Sequence, residues 1–459
     1  MTEQQADARR PAAATLPGAS VWLMAAYVVA LLVFPADFGL RVGGIVLTPS
    51  RLVLVAAALV ALIDWRSYLT AARRLPALVW IGWAAFLGSA LVTATINPSA
   101  ASWARYASLV AEGLLVFLLV YRAATATGGL RMLVITVAAT TVAVAAVVFA
   151  LAAFGIHYDH VLSSLVGTEP LREPMARFGL ERQAGPFRAT LFFGIWMVVA
   201  SALLMPFISD GRGRARSLSV AAWLMLAVSV AILTVSRIAM TAMFVVPGVY
   251  FLVRGRRTIG VACLVIAGIV AVTFSVLSLE PQLAGAGQGE TGRILQDSVG
   301  MRLASVGATI DALSIKPLFG WGLLSGPAVL SGLIGETSYV DNMYLSLLVE
   351  LGLVGTVSFL FLVAVILART SRAWRSAVGL ALLIAVVAEL TLAIFASTLE
   401  STQGYAAFFV LCGLALAAVE RPSDALDVEV LGVQSPLPAP DGIAHVPDQR
   451  REREAKAPV

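Results

Sequence analysis

Between Ser20 and Val419 the chain returns repeatedly to apolar runs of about 15 to 25 residues. As helices, each is long enough to cross a hydrocarbon core about 30 Å thick. Hydrophobic residues make up 59% of the sequence and charged residues only 13%, a balance no soluble domain shows. The fold class that follows is all-α, a polytopic transmembrane helix bundle of about twelve spans. The runs are Ser20–Phe34, Ile45–Ile63, Leu75–Thr95, Tyr106–Tyr121, Leu130–Phe154, Thr190–Ile208, Ser217–Val235, Ile238–Val253, Thr258–Leu277, Met343–Leu367, Ala377–Phe395 and Gly404–Val419.

Basic residues orient the bundle. They gather in alternate connections: Asp64–Arg74, Arg122–Arg131, Asp210–Arg216, Arg254–Arg257 and Arg369–Arg375, read as loops. The intervening short connections carry only Arg41, Arg105 and Arg237. An excess of arginine marks the cytoplasmic side, so both termini are expected there, in an inner or plasma membrane. The net charge of +5 is explained by this topology and implies no nucleic-acid partner. The division that results is a cytoplasmic segment 1–19, a membrane domain 20–419 and a disordered, Pro- and charge-rich cytoplasmic tail 420–459. Two long loops, 155–189 and 280–342, fall on the outer side. Arg9-Arg10 before the first run resembles a signal sequence, but no small-residue cleavage site follows Phe34, so that run is read as a retained anchor.

The two cysteines, Cys263 and Cys412, sit inside apolar runs and suggest neither a disulfide framework nor a zinc site. His157 and His160 would share one face of a helix, but no third ligand has recognisable spacing, so no metal and no cofactor are expected.

Charges at or within the membrane are costly and therefore candidates for function. Arg237 occupies a tight outer turn, either as a snorkelling residue or as a fixed cation gripping phosphate through two hydrogen bonds. Arg302 lies in Val299–Ile315, where Leu303, Val306, Ile310 and Leu313 recur at helical spacing. That spacing predicts an amphipathic helix on the outer membrane face, with Arg293 and Arg302 bracketing its start; a solvated helix is the alternative. The loop 155–189 adds Arg172, Arg177, Arg182 and, at the mouth of the next span, Arg188 as a further anion ligand. Glu112, Glu389 and Glu400 are acids within or near the spans. Glu350 lies about 13 Å deeper than Asp341 at about 1.5 Å per residue, and suits a structural pairing between helices. Asp341 itself reads either as a helix N-cap or as a general base for an acceptor hydroxyl. Gly352 and Thr356, four apart, suggest a small face for close helix packing.

The block KPLFGWG followed by DNMYLSLLVELGLVGT resembles the signature of the bacterial O-antigen ligase and O-antigen polymerase superfamily, polytopic glycosyltransferases of GT-C type. The matching positions are Pro317, Leu318, Gly320, Gly322, Asp341, Asn342, Tyr344, Glu350, Gly352 and Gly355. Ser236-Arg237 resembles the family's Ser-Arg turn, Arg302 its second arginine, and AGPFRATLFFG its Gly-Pro-Phe segment. The resemblance runs from about Ala184 to Val419. It implies an undecaprenyl-diphosphate-linked glycan as donor, a glycan or lipid-glycan acceptor, transfer on the extracytoplasmic face and no metal. On it, Asp341, Arg237 and Arg302 are the expected catalytic residues, with Arg188, Asn342, Tyr344 and Arg293 contacting substrate. Pro317, Gly320, Gly322, Glu350, Gly352 and Gly355 form a structural motif. Asp341 stands where the ligases carry a histidine, a departure that counts against lipid-A-type ligation and leaves either a carboxylate base or an inactive position there. The rival from another class is a transporter or flippase of lipid-linked glycans, coupling ions through Glu112, Glu350 and Glu389; a non-catalytic scaffold is the third reading.

Overall fold

The computed structural model describes residues 18–35, 38–42, 45–166, 175–177, 180–187, 189–283, 290–334, 342–396 and 401–431. Each of the twelve apolar runs contains a helix. In order these are α1 (Ala19–Val33), α2 (Pro49–Ile63), α4 (Ala77–Ile96), α5 (Ala100–Ser108) running through a π-helical segment Leu109–Leu115 into α6 (Val116–Thr125), α7 (Gly129–Ala153), α9 (Thr190–Ser209), α10 (Gly213–Ser229), α11 (Arg237–Val253), α12 (Arg257–Leu283), α15 (Met343–Thr370), α16 (Ala377–Leu392) and α17 (Thr402–Val419). Between them lie α3 (Trp65–Arg74), α8 (Tyr158–Val166), α13 (Glu290–Ile315), α14 (Gly326–Ile334) and, after the bundle, α18 (Ser423–Leu431). Two small antiparallel hairpins complete the described chain: β1 (Leu40–Val42) with β2 (Ile45–Leu47), and β3 (Met175–Arg177) with β4 (Leu180–Arg182).

Among the described residues six helical segments are long and apolar enough to cross a membrane, or seven if α2 and α3 are one bent span. Six more are apolar but shorter. The helical, polytopic architecture therefore matches the apolar pattern, while length and composition alone account for about half of the expected spans.

Three expectations are corrected. Asp64–Arg74 is not a loop: α3 occupies it, bent by 93° from α2. Its sequence, WRSYLTAARR, puts Ala71 inward and Arg66, Arg73 and Arg74 outward, the pattern of a helix lying across the bundle end. The tail is not disordered from Glu420, because α18 forms and buries Leu426 and Val430, four apart on one face. Residues 432–459 lie outside the described chain. Finally, Gly352 does not pack a helix face; it breaks α15, as described below.

The expected amphipathic helix forms within α13, but its polarity is informative. Leu303, Val306 and Ile310 are exposed, while Ser305, Ala308, Thr309 and Ala312 are buried, Ala308 and Ala312 in a small cluster with Leu330 of α14 and Val349 of α15. The small face packs on protein and the large apolar face is left outward, as for a helix laid against lipid.

In the core, α9 is buried on every face over most of its length. Elsewhere in the core, Trp83 of α4, Phe117 of α6 and Phe409 of α17 interlock, with ring centroids 5.6 and 4.6 Å from Trp83. The arginine-rich connections meet at one end, where Arg254 and Arg256 hold Asp210 at 3.0 and 3.4 Å and Arg421 donates to the carbonyls of Ala124 and Ala126. At that end Asp427 of α18 accepts from Ser376 Oγ and from the amides of Ala377 and Val378, capping α16. At the other end Tyr158 donates to Val33 O at 2.8 Å, and burial pushes its phenol up to about 12, so it remains a donor at neutral pH.

Candidate functional site

Helix α15 is two helices joined at Gly352, whose φ of 67° and ψ of −167° end one and begin the next. Such a break strands carbonyls on one side and amides on the other. The turn Lys316–Gly322 satisfies both sets. Trp321 N donates to Val349 O at 2.9 Å and Gly322 N to Glu350 O at 3.1 Å; Leu353 N donates to Pro317 O at 2.8 Å and Val354 N to Leu318 O at 3.1 Å. Gly320 and Gly322 both take positive φ, and a Cβ on Gly320 would lie 2.5 Å from the carbonyl oxygens of Val349 and Glu350.

A second layer ties this turn to the end of α4. Lys316 Nζ donates to Asn97 Oδ1 at 2.7 Å and stands 4.6 Å from the Trp321 ring centroid. Thr93 Oγ1 donates to Phe319 O, and Trp321 Nε1 to Ala312 O of α13. The Pro-Leu-x-Gly-x-Gly and Glu-x-Gly segments are thus two halves of one interlock. Gly355 lies one turn beyond it, against its own helix at Leu351.

The interlock orients Glu350. Its side chain, 7% exposed as a residue, lines a narrow cleft. Arg105 of α5, 6% exposed, lines the same cleft, as do Ser346 and Tyr405. The Arg105 guanidinium stands over the Tyr405 ring, 5.6 Å from its centroid. Arg105 and Glu350 thus bring opposite charges to one buried cleft.

At the mouth of α15, Asn342 rather than Asp341 is the N-cap: its Oδ1 accepts from Tyr344 N at 2.9 Å and Leu345 N at 3.2 Å. Tyr344 donates its hydroxyl to Leu390 O on α16, fixing the mouth to the neighbouring helix. Asp341 and Arg188 lie outside the described residues. Arg293 and Arg302 belong to α13.

Arg237 opens α11 after a second irregularity. Helix α10 ends in a π-helical segment, Val230–Thr234; Val235 then takes a left-handed φ of 47°, and Ser236 caps α11 by accepting from Ala239 N. The chain entering α9 braces this turn, since Gln183 N donates to Leu233 O at 2.8 Å and Arg182 Nε to Thr234 O at 3.0 Å. Two arginines therefore converge on one helix N-terminus, where the dipole adds to their attraction for an anion.

The sequence reading did not single out Arg105, and it named Arg182 only as one of several loop arginines. Both had a signal. Arg105 and Glu112 are two charges seven apart in an apolar run, while Arg182 belongs to one of two short runs, MAR and LER, that pair as a hairpin. His157 and His160 have ring centroids 5.2 Å apart, and among the described residues no group of three metal-ligating side chains forms.

These features define an integral membrane protein of all-α type with a polar site built where helices break near one end of the bundle. Residues 220–360 match the family model described as O-antigen ligase. The matched stretch contains the Arg237 turn, α13 and the α15 interlock, and it supports placing the chain with the O-antigen ligase and polymerase superfamily, whose members are glycosyltransferase-like enzymes. No curated protein matches the chain.

Proposed function

We propose that this protein is an inner-membrane glycosyltransferase of O-antigen ligase or polymerase type, using an undecaprenyl-diphosphate-linked glycan on the extracytoplasmic face in surface polysaccharide assembly. The observation that carries the reading is that the family match spans both helix breaks, the one presenting Arg237 and the one orienting Glu350.

In this reading the donor's diphosphate is held by Arg237 and Arg302, with Arg188 and Arg293 as further cations. The acceptor hydroxyl oxygen attacks the anomeric carbon. The bond from that carbon to the diphosphate oxygen breaks, its electron pair stays on the leaving diphosphate, and the hydroxyl proton passes to Asp341. Fixed guanidinium groups in an apolar surround stabilise the charge that develops on the leaving group. Asn342 and Tyr344, at the mouth of α15, line the approach. The gathering of basic residues in alternate connections supports an orientation with cytoplasmic termini, in which these groups face outward.

The test is transfer by purified protein in detergent. Arg237→Ala and Arg302→Ala should abolish formation of a new glycosidic bond while the protein still inserts and folds; full transfer by both would sink the proposal. Asp341→Ala should lose most activity and Asp341→His retain part. A flippase would form no new bond in this assay. In a deletion strain, surface glycan reduced to single repeats identifies a polymerase, and full-length polymer held on the lipid carrier identifies a ligase.

A further inference from the structure

At the arginine-rich end of the bundle the chain turns through 93° between α2 and α3. A helix at right angles to a spanning one lies in the membrane plane, at the level of the headgroups. At about 3.6 residues per turn, α3 divides into two halves. Its inner half carries Ala71, which is buried, and Tyr68 and Ala72, which are half-buried. Two contacts hold that half down. Trp80 of α4 donates Nε1 to Ala72 O at 3.1 Å, and the Arg122 guanidinium of α6 stands 6.0 Å from the Tyr68 ring centroid. The outer half reads, from one edge to the other, Trp65, Leu69, Arg73, Arg66, Thr70 and Arg74, all exposed.

We propose that this outer face binds the headgroup phosphates of anionic phospholipids, in the leaflet on the arginine-rich side of the bundle. Among the described residues, the side chains of Arg66, Arg73 and Arg74 make no hydrogen bond or ion pair. Asp64, just before α3, is the nearest acid in sequence. Three unneutralised cations on a helix held down from beneath attract an anion, and a guanidinium grips a phosphate through two parallel hydrogen bonds.

The apolar edge decides which anion. Trp65 and Leu69 continue the exposed Leu62 and Ile63 at the end of α2, so that edge meets acyl chains while the arginines stand at phosphate level. A soluble phosphate leaves the apolar edge in water. A zwitterionic phospholipid covers the edge but brings no net charge for the arginines to balance. An anionic phospholipid satisfies both. The proposal is independent of the glycosyltransferase reading.

The rival account is diffuse attraction, in which every arginine on this side counts alike. Arg212 and Arg214 supply the comparison, because they are also exposed but stand at the start of α10, a helix long enough to span. The test uses full-length protein in an uncharged detergent, titrated with phosphatidylglycerol and, separately, with phosphatidylcholine, and bound lipid is counted by native mass spectrometry. Saturable retention of phosphatidylglycerol is expected, with little phosphatidylcholine held and no displacement by excess inorganic phosphate. Arg66→Gln combined with Arg73→Gln should weaken retention about tenfold or more, at an unchanged melting temperature in lipid-free detergent. Arg212→Gln combined with Arg214→Gln removes the same charge and should leave retention unchanged. Trp65→Ser combined with Leu69→Ser keeps every charge and should also weaken retention, which gives a second reading should the arginine variant prove unstable. Undiminished retention in either α3 variant, an equal loss in the α10 variant, equal retention of phosphatidylcholine, or displacement by phosphate each overturns the proposal.

Discussion

Gly320 and Gly352 face each other across the break in α15, and neither has room for a side chain: a Cβ on Gly352 would lie 2.6 Å from Gly320 N. Both adopt left-handed φ, 62° and 67°. Alanine at Gly352 should cost about 1–3 kcal/mol in backbone strain alone, with the clash against backbone adding to it. Gly332→Ala in α14, where nothing lies within 4 Å, is the control and should be neutral or slightly stabilising. Melting of the purified variants in detergent checks both. A Gly352→Ala protein as stable as Gly332→Ala would show that the interlock does not fix the fold.

Val235 holds a β-branched side chain at φ 47°, immediately before the Ser236 cap and Arg237. That conformation is costly for valine and free of strain for glycine. Val235 is also buried, at 3% exposure, so Val235→Gly sets relief of strain of about 1–3 kcal/mol against a comparable loss of burial and should shift the melting temperature far less than a Val→Gly change at an unstrained buried site. If the strained turn is what aims Arg237, the same variant should lower transfer several-fold. Equal turnover in the two proteins would separate the strain from function.

Much of this architecture is readable from residues, and the part that is not has a physical cause. Apolar runs disclose the helices because the bilayer demands length and hydrophobicity of each one independently. The breaks are another matter. Gly352 and Thr356 at i and i+4 look like a packing face, and only the turn from Lys316 shows that Gly352 ends a helix instead. Likewise α3 was read as a loop from its arginines, although its one inward residue, Ala71, gives the helix a face to bury. The capping of α15 shows the limit most finely: Asp341 and Asn342 are equally good caps by type, and only the backbone selects Asn342. An acid inside an apolar run, such as Glu112, stands out locally, but nothing local names its partner Arg51, 61 residues away.

That ion pair supplies a stability prediction. Glu112 is nearly buried, and its side chain is 9% exposed against 28% for Arg51. Arg51→Leu leaves a carboxylate without its cation inside the bundle and should destabilise by about 2–4 kcal/mol, somewhat below a fully buried pair because Arg51 reaches solvent. Adding Glu112→Gln to Arg51→Leu should recover part of the loss, since the stranded charge is gone. Denaturation of the two single variants and the double variant forms a cycle; additive losses would mean the two residues do not act as a pair.

At the opposite end, Asp427 accepts three hydrogen bonds at the start of α16, where the helix dipole also favours a carboxylate. Asp427→Ala should cost about 1–2 kcal/mol, and Asp427→Asn less, because the amide oxygen still caps. The readout is melting temperature together with protease sensitivity after Val419. An unaltered Asp427→Ala protein would make α18 an ornament of the bundle rather than a brace.

Arg105 offers the sharpest link between burial and chemistry. It shares the cleft with Glu350, lies over the Tyr405 ring and is 6% exposed, so its charge acts in a medium that screens it poorly. If this cation faces the donor's diphosphate, Arg105→Ala should lower turnover by about 10² to 10³, the range found when one fixed donor to a developing oxyanion is removed. Arg105→Lys keeps the charge but loses the planar fork and the stacking on Tyr405, and should recover only part of the activity. A purely structural arginine would behave differently: both variants would lose stability, and turnover per folded molecule would hold. Measuring melting temperature and initial rate against donor concentration on the same preparations separates the two, and undiminished turnover in folded Arg105→Ala would remove Arg105 from the site.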